Sequence, residues 1–324
     1  MDATSDGAAP DVEVYEPRRV QEGLELQVRG LGYRIRHWPA LGQCRQSLIL
    51  LHGWMDVSAS FQFLVDELPS DWACFAPDWR GFGLSDASGT DTYWFADYLA
   101  DLEAVIRALL EHQRISLPIN LLGHSMGGNI GCLYAGVRPE RIARLINLEG
   151  FGLSASDPSK APARYARWLD GLAAGAPTLR TYASRHDVAQ RLMRNNPRLP
   201  PNRAAYLALH WAAPGEDGQW RLRADPWHKA THPVPYRADE VRACWSAIRA
   251  PVLWVSASDT VAAAESPTSD RKSGVAQLVA TPEYQARLRD ISDLRSAVID
   301  GAGHMVHHDQ PAALAQRILD FVGR

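Results

Sequence analysis

The chain has 324 residues, a formal net charge of −3 at pH 7 and 22% charged residues. This length is enough to bury a large core, and it favours one α/β domain with a sizeable insertion. The slight acidic excess argues against a nucleic-acid partner, and no apolar run has the length that a bilayer-spanning helix needs.

The N-terminal segment and the cysteines bear on the cellular compartment. Residues 1–20 are polar and include Asp2 and Asp6, so we expect a loose tail and not a secretory signal. The cysteines are far apart and show neither a disulfide framework nor a metal-binding spacing. We therefore expect buried free thiols in a cytoplasmic protein. The cysteines are Cys44, Cys74, Cys132 and Cys244.

The first predicted elements are strands. Residues 24–29 and 33–38 alternate apolar and polar side chains around two glycines, which predicts an antiparallel hairpin. Residues 47–51 form a continuous apolar run that leads into a His-Gly-Trp turn ending at Trp54. At the end of an inner strand, such a turn is suited to donate a backbone N–H to a developing oxyanion, and Trp54 is our candidate donor.

Residues 72–76 predict the next strand, and the loop of residues 77–86 that follows is rich in turn-forming residues. We expect Asp78 and Arg80 to pair and to hold this loop. Residues 93–111 carry apolar side chains at helical spacing, which predicts a surface helix with one buried face.

A Gly-x-Ser-x-Gly motif occupies residues 123–127, between an apolar strand (119–122) and a helix with small residues (130–135). The two glycines leave room for a sharp strand-to-helix turn, which would expose Ser125 at the helix N-terminus. The motif predicts Ser125 as a nucleophile and the N–H of Met126 as a second oxyanion donor. The alternative is an ordinary glycine-rich turn with a serine at a helix start.

Residues 143–148 predict an inner strand that ends at Glu149, and strand character is then lost. We predict a helical cap over residues 153–247, inserted into a core formed by residues 21–152 and 248–324. The tryptophans of this insertion either line a pocket or form the core of the cap. They are Trp168, Trp211, Trp220, Trp227 and Trp245.

The sheet resumes at residues 251–255, followed by Asp259 and a polar loop, and residues 294–299 predict the last strand. The Gly-Ala-Gly-His segment that ends at His304 comes next, and a helix follows over residues 310–322. We predict His304 as the general base. His307 and His308 are expected on the wrong side of the turn, at the surface or at a helix start, and no acidic partner supports a metal site there.

Strands that alternate with helices predict a doubly wound, mostly parallel sheet. Ligands bind beyond the carboxyl ends of the strands in such sheets. Ser125, Glu149, Asp259 and His304 each follow a predicted strand. We therefore expect these four residues to lie near one another.

The motifs together resemble the α/β-hydrolase superfamily over about residues 24–322. The resemblance implies a catalytic triad in the chain order Ser, acid, His. Family members usually place the acid after the strand that follows the cap. Asp259 lies there, but Ala257 replaces the usual glycine and Asp259 comes one residue early. Glu149 is the rival, because some haloalkane-dehalogenase-like members place their acid after the strand before the cap.

A serine nucleophile beside an oxyanion site is suited to acyl transfer to water. We predict a hydrolase of a small to medium, partly apolar carboxylic ester, with a small molecule as its partner and no cofactor or metal. Two alternatives stay open. One is a carbon–carbon bond hydrolase of diketone type that uses the same triad. The other is a hydrolase-fold protein that binds a ligand without turning it over.

Overall fold

The computed structural model describes residues 13–265 and 278–323. The predicted polar loop after Asp259 falls in part on residues 266–277, and most of the predicted tail falls on residues 1–12, so both lie partly outside the described residues. Residues 13–20 of that tail contact the core. Tyr15 donates a hydrogen bond to Asp66 (2.7 Å), and the backbone N–H of Arg19 donates another (2.8 Å).

An eight-stranded sheet organises the chain, in the order β1-β2-β4-β3-β5-β6-β10-β11. The β1–β2 and β2–β4 pairs are antiparallel, and all the other neighbours are parallel. The doubly wound, mostly parallel sheet is thus confirmed. Its strands are β1 Glu22–Val28, β2 Leu31–Trp38, β3 Gln46–Leu51, β4 Trp72–Pro77, β5 Ile119–His124, β6 Ile142–Leu148, β10 Val252–Ala257 and β11 Leu294–Ile299.

Helices cover both faces of the sheet. Successive strand residues point to opposite faces, so Ile49 joins the core formed with α2 and α3, whereas Leu48 and Leu50 join the core formed with α1 and α11. The described α-helices are α1 Gln62–Val65, α2 Phe95–Glu111, α3 Met126–Val137, α4 Ala161–Ala174, α5 Arg185–Asn195, α6 Pro201–Trp211, α7 Ala238–Ser246, α8 Ser258–Glu265, α9 Pro282–Arg289, α10 Val306–Asp309 and α11 Pro311–Val322. Short 3₁₀ helices occupy Ser58–Phe61, Pro139–Arg141, Pro158–Lys160 and Pro226–Lys229.

The loop after β4 is held differently from the prediction. Asp78 accepts hydrogen bonds from the backbone N–H groups of Ser58 (2.7 Å) and Leu84 (3.0 Å). Arg80 instead pairs with Asp101 of α2, whose side chain is fully buried. The expected Asp78–Arg80 pair is therefore wrong, because the guanidinium of Arg80 reaches a carboxylate in the neighbouring helix.

The insertion between β6 and β10 contains more than helices. It carries a small sheet of order β7-β9-β8, formed by β7 Thr181–Tyr182, β8 Ala212–Pro214 and β9 Trp220–Leu222. The expectation that this segment lacks strands is wrong. Its last helix, α7, packs against α3, where a Cβ on Gly136 would lie 1.9 Å from the carbonyl oxygen of Cys244. The domain boundaries stay a prediction.

Four of the five tryptophans of the insertion pack in or against the hydrophobic cores. Trp245 is fully buried in the main core, and Trp211 and Trp220 pack against a smaller core beneath α5 and α6. The tryptophans that line the pocket described below are Trp54 and Trp94, outside the insertion.

All four cysteines are free, but only Cys74 and Cys132 are buried, and Cys44 is exposed. None of the helices in the described ranges is both long and apolar enough to cross a bilayer.

Candidate active site

Ser125 occupies the turn between β5 and α3 in a strained conformation, with φ 51° and ψ −114°. Non-glycine residues seldom adopt such a positive φ, and the residues that do adopt it cluster at functional sites. The flanking glycines make the turn possible. A Cβ on Gly123 would lie 2.3 Å from the carbonyl oxygen of Gly127, and a Cβ on Gly127 would lie 2.1 Å from that of Leu51. The Ser125 N–H donates to the carbonyl of Leu148 (2.8 Å), which ties the turn to β6.

His304 and Glu149 form a pair, with His304 Nδ1 3.1 Å from Glu149 Oε2. Glu149 follows β6 with φ 56°, and this left-handed turn directs its buried side chain across the end of the sheet. Its oxygens also accept hydrogen bonds from the Ala257 N–H (2.6 Å) and the Thr260 hydroxyl (2.7 Å). The carboxylate is therefore fixed by two donors besides the imidazole.

Asp259 points elsewhere. Its carboxylate pairs with Arg198, with one contact of 3.0 Å, and both side chains are about half exposed. Its N–H donates to Ala302 (3.1 Å). Within residues 13–265 and 278–323, no hydrogen bond or ion pair joins Asp259 to His304, so of the two rival acids the structure places Glu149 beside the imidazole.

The two candidate oxyanion donors border Ser125. Met126 is the first residue of α3, where the N–H groups have no partner within the helix. The turn that carries Trp54 approaches closely, since a Cβ on Gly53 would lie 3.3 Å from Cβ of Ser125. Neither the Trp54 nor the Met126 N–H donates to a backbone oxygen of the described residues. Both are therefore available to a ligand.

A cavity of about 360 Å³ opens over Ser125 and Met126. Its lining in the described part of the chain is mostly aromatic and contains no Lys or Arg. His228 stacks between the rings of Phe82 and Tyr93, both with centroids 3.8 Å away. Burial lowers the pKa of His228 to about 4, so this ring is neutral near pH 7. Apart from Glu149, the described lining of the pocket therefore offers a neutral and largely apolar surface.

His307 and His308 lie at the start of α10, as one of the two expectations had it, but they are 0% and 2% exposed, so the expected surface position is wrong. The local sequence is polar, but α10 packs beneath the serine turn. The expectation that no acid accompanies them is also wrong, because Asp56, His124 and His307 bring their polar atoms together in the interior.

Four contacts escaped the sequence analysis. Thr260 and the Ala257 N–H hold Glu149, Arg198 holds Asp259, and His124 contacts the carbonyl oxygen of His304 (Nε2 to O, 2.8 Å). Their partners lie 61 to 180 residues away in the chain. No local pattern marks such contacts.

Low pH is expected to reduce the free energy of unfolding. Burial lowers the pKa values of His52, His210 and His228 to about 4, whereas it raises that of Asp56 to about 7. Below pH 6.5 these histidines are protonated in the unfolded chain but not in the folded chain. The stability that their neutral forms contribute is therefore fully present above pH 6.5 and is lost as the pH falls toward 4. Burial also lowers the pKa of His308 to about 3. These four histidines outweigh one carboxyl, and near pH 5 we expect a loss of at least about 3 kcal/mol per pH unit.

Urea unfolding at about pH 7 and about pH 5 measures this loss. His228→Phe keeps the stacking on Phe82 and Tyr93 but carries no titrating group, so its slope should be smaller by about 1.4 kcal/mol per pH unit. An equal free energy of unfolding at both pH values would contradict the expectation.

A mostly parallel sheet with a serine at a strained strand-to-helix turn defines the class of α/β hydrolases. A family model described as alpha/beta hydrolase fold matches residues 46–311, and the chain belongs to this family.

The names of similar proteins include a serine hydrolase-like protein and a decarboxylase. A serine hydrolase-like protein of Danio rerio is 26% identical over 287 residues, which are 85% of this chain and 81% of that protein. A cis-3-alkyl-4-alkyloxetan-2-one decarboxylase of Shewanella oneidensis is 35% identical over 129 residues, which are 38% of each protein. The solved thioesterase domain from a curacin biosynthetic pathway superposes with a TM-score of 0.77 and 23% identity, covering 93% of this chain and 99% of that domain. This last likeness concerns the fold alone. Family and names together support a hydrolase and leave its substrate open.

Proposed function

We propose that the chain is a serine hydrolase that cleaves a neutral carboxylic ester through an acyl-enzyme on Ser125. The observation that carries the proposal is the contact of His304 Nδ1 with the buried carboxylate of Glu149, 3.1 Å away, at the sheet edge where Ser125 occupies its strained turn. Nucleophile, base and orienting acid are the three parts that this chemistry needs.

The first half of the reaction forms the acyl-enzyme. Ser125 Oγ attacks the carbonyl carbon, and its proton passes to His304 Nε2. The carbonyl oxygen gains the charge and accepts hydrogen bonds from the N–H groups of Trp54 and Met126. Collapse of this intermediate breaks the carbon–oxygen bond, and the leaving alkoxide takes the proton from His304. Water then repeats the sequence with His304 as general base, and the acid and free Ser125 result.

Glu149 serves as the triad acid in this proposal. Its carboxylate accepts a hydrogen bond from His304 Nδ1–H, which leaves the lone pair on Nε2 for the proton of Ser125. It also stabilises the imidazolium that forms during attack. Asp259 is satisfied by Arg198 at the surface and has no part in the chemistry.

The lining of the pocket defines the substrate class. Its described residues are aromatic, apolar or neutral, apart from Glu149, which His304 already engages. An acyl group with its own carboxylate would lose water without gaining a cation, which is costly. This supports a neutral acyl group and disfavours the diketone acids of carbon–carbon bond hydrolases. The Shewanella relative is named for an oxetan-2-one, a cyclic ester, but as a decarboxylase, so its name supports binding of an ester group and not its hydrolysis.

Two esters of equal length test the substrate class: p-nitrophenyl butyrate and p-nitrophenyl hemisuccinate, which differ in a terminal carboxylate. We expect kcat/KM to be at least about tenfold higher for the butyrate. A fluorophosphonate probe should label the wild type and the exposed-serine control Ser246→Ala, but not Ser125→Ala.

Each other result has a definite meaning. Faster turnover of the hemisuccinate would contradict the neutral substrate. Labelling of Ser125 without turnover of either ester would show that the bond is wrongly assigned. No turnover and no labelling would favour a protein that binds its ligand without cleaving it.

A further inference from the structure

Three buried side chains meet behind the serine turn. Asp56 lies in the loop after β3, His124 immediately precedes Ser125, and His307 lies in α10. Their exposed fractions are 2%, 2% and 0%, and one ligand-type atom of each lies within 4.8 Å of the others. We call these three residues the buried His–Asp cluster.

Each member has a polar atom without a hydrogen-bond partner among the described residues. These atoms are Asp56 Oδ2, His124 Nδ1 and both ring nitrogens of His307. The other oxygen of Asp56 accepts hydrogen bonds from the Val57 N–H (2.8 Å) and the Ser60 hydroxyl. Burying a polar atom without a partner is costly, and such atoms are few in native proteins. Their concentration at one point therefore indicates a binding site.

The tautomer of His124 is fixed by its neighbour. Its Nε2 lies 2.8 Å from the carbonyl oxygen of His304, and since a carbonyl only accepts, Nε2 carries the proton. In the neutral ring, Nδ1 then carries the free lone pair, and Nδ1 is the buried nitrogen of His124 without a partner among the described residues. Metal-bound histidines typically show this arrangement, in which the second nitrogen donates to a carbonyl or carboxylate.

We propose that the buried His–Asp cluster binds one divalent transition-metal ion of the Zn²⁺ or Co²⁺ class. Two imidazole nitrogens and one carboxylate oxygen are the ligands that these ions accept, whereas Ca²⁺ and Mg²⁺ prefer oxygen alone. Bonds of about 2.1 Å would place tetrahedral ligand atoms about 3.4 Å apart. The three ligand atoms lie within 4.8 Å of one another, so small side-chain rotations would have to bring them closer together around the ion.

A bound ion would act on the proposed hydrolase. The rings of His124 and His304 have centroids 4.8 Å apart, so the ion's charge would lie close behind the general base. Rotation of the His124 ring onto the ion would also shift the His304 carbonyl that its Nε2 binds and the Ser125 turn that follows it. Metal is therefore expected to inhibit turnover. This consequence rests on the proposed function, whereas the binding itself does not.

Binding is measured on the full chain after treatment with a chelator. Titration calorimetry with Zn²⁺ should give one equivalent per chain, with an affinity of about micromolar or tighter. Addition of Co²⁺ should produce visible absorption bands of four-coordinate intensity. Asp56→Asn and His307→Gln should each weaken binding at least about tenfold, while the exposed-histidine control His112→Gln should bind like the wild type.

Asp56→Asn retains the acceptor for Val57 and Ser60, so it serves as the second variant if His307→Gln does not fold. Anomalous diffraction from wild-type crystals soaked in Zn²⁺ locates the ion without any variant. An ion found elsewhere, a lack of stoichiometric binding, or equal affinity in all folded variants would overturn the proposal.

Ester turnover with and without Zn²⁺ separates the two proposals. Inhibition of the wild type, but not of a cluster variant, would support both. Stoichiometric binding by a protein that cleaves no ester would overturn the proposed function and leave the metal site standing. Ester turnover without metal binding at the cluster would overturn the metal site and leave the proposed function standing.

Discussion

Glu149→Gln is expected to lower kcat for ester hydrolysis about 10⁴-fold, as loss of the triad acid does in serine proteases. A glutamine amide is neutral, so the imidazolium of His304 loses its stabilising charge. The buried site also fixes how the amide turns. The Ala257 N–H can only donate, so it holds the amide oxygen at the position of Oε1 and leaves the amide nitrogen at that of Oε2, beside Thr260 and His304. An amide nitrogen facing His304 Nδ1 would select the wrong tautomer and leave no lone pair on Nε2.

The matched control is Asp259→Asn, which removes the charge of the rival acid. Its pair with Arg198 is about half exposed on both sides, and such pairs contribute about 0 to 1 kcal/mol to stability. We expect kcat within about threefold of the wild type. Steady-state kinetics on p-nitrophenyl butyrate gives both values, and urea unfolding of each variant verifies that it is folded. Loss of activity in Asp259→Asn with retention in Glu149→Gln would assign the acid to Asp259.

The sequence predicts the parts of this site that depend on local chemistry. A Cβ on either glycine around Ser125 would clash with the backbone, so the spacing of these glycines in the sequence indicates the turn directly. The sheet follows in the same way, because its inner strands are short apolar runs that alternate with amphipathic helices. His304 is identified by the glycines before it and by its place after the last strand.

No local sequence pattern decides whether Glu149 or Asp259 is the triad acid. The choice depends on the positive φ of Glu149 and on donors from Ala257 and Thr260, which lie 108 and 111 residues further along the chain. One of these donors is a backbone N–H. Every residue except proline carries this group, so the identity of residue 257 does not indicate the contact. The small strands of the insertion are two or three residues long, which is too short for alternation to show.

The burial of His307 was missed for a related reason. Two histidines and an aspartate in succession are typical of a surface turn, and only the packing of α10 under the serine turn places the imidazoles inside. Arg80 is a parallel case. Asp78 is its nearest acid in sequence, but Asp101 is its partner in space.

Asp101→Asn is expected to lower the free energy of unfolding by about 3 to 5 kcal/mol. Asp101 is fully buried and accepts hydrogen bonds from the Arg80 guanidinium, the Tyr33 hydroxyl and Arg29 (3.0 Å). Since Tyr33 lies in β2, Arg80 after β4 and Asp101 in α2, one carboxylate joins three elements. The amide would leave the guanidinium of Arg80 buried, with the partly exposed Asp97, 3.7 Å away, as its remaining ion-pair partner among the described residues.

Urea unfolding measures the effect, with Glu111→Gln as the control. Glu111 pairs with Arg107 at 3.7 Å, and both side chains are more than 60% exposed. Removing that pair should cost less than about 0.5 kcal/mol. An equal cost for the two variants would show that burial adds nothing to the Arg80–Asp101 pair.

The double variant Arg80→Met/Asp101→Leu separates the value of the pair from the cost of an unpaired charge. Removing both charges also removes their desolvation, so the double variant should be more stable than Asp101→Leu alone. Because the residues are in direct contact, we expect the two substitutions to be non-additive by about 1 to 3 kcal/mol. A double variant as unstable as the sum of its single variants would instead assign the loss to the hydrogen bond from Tyr33, which both Asp101 substitutions weaken or remove.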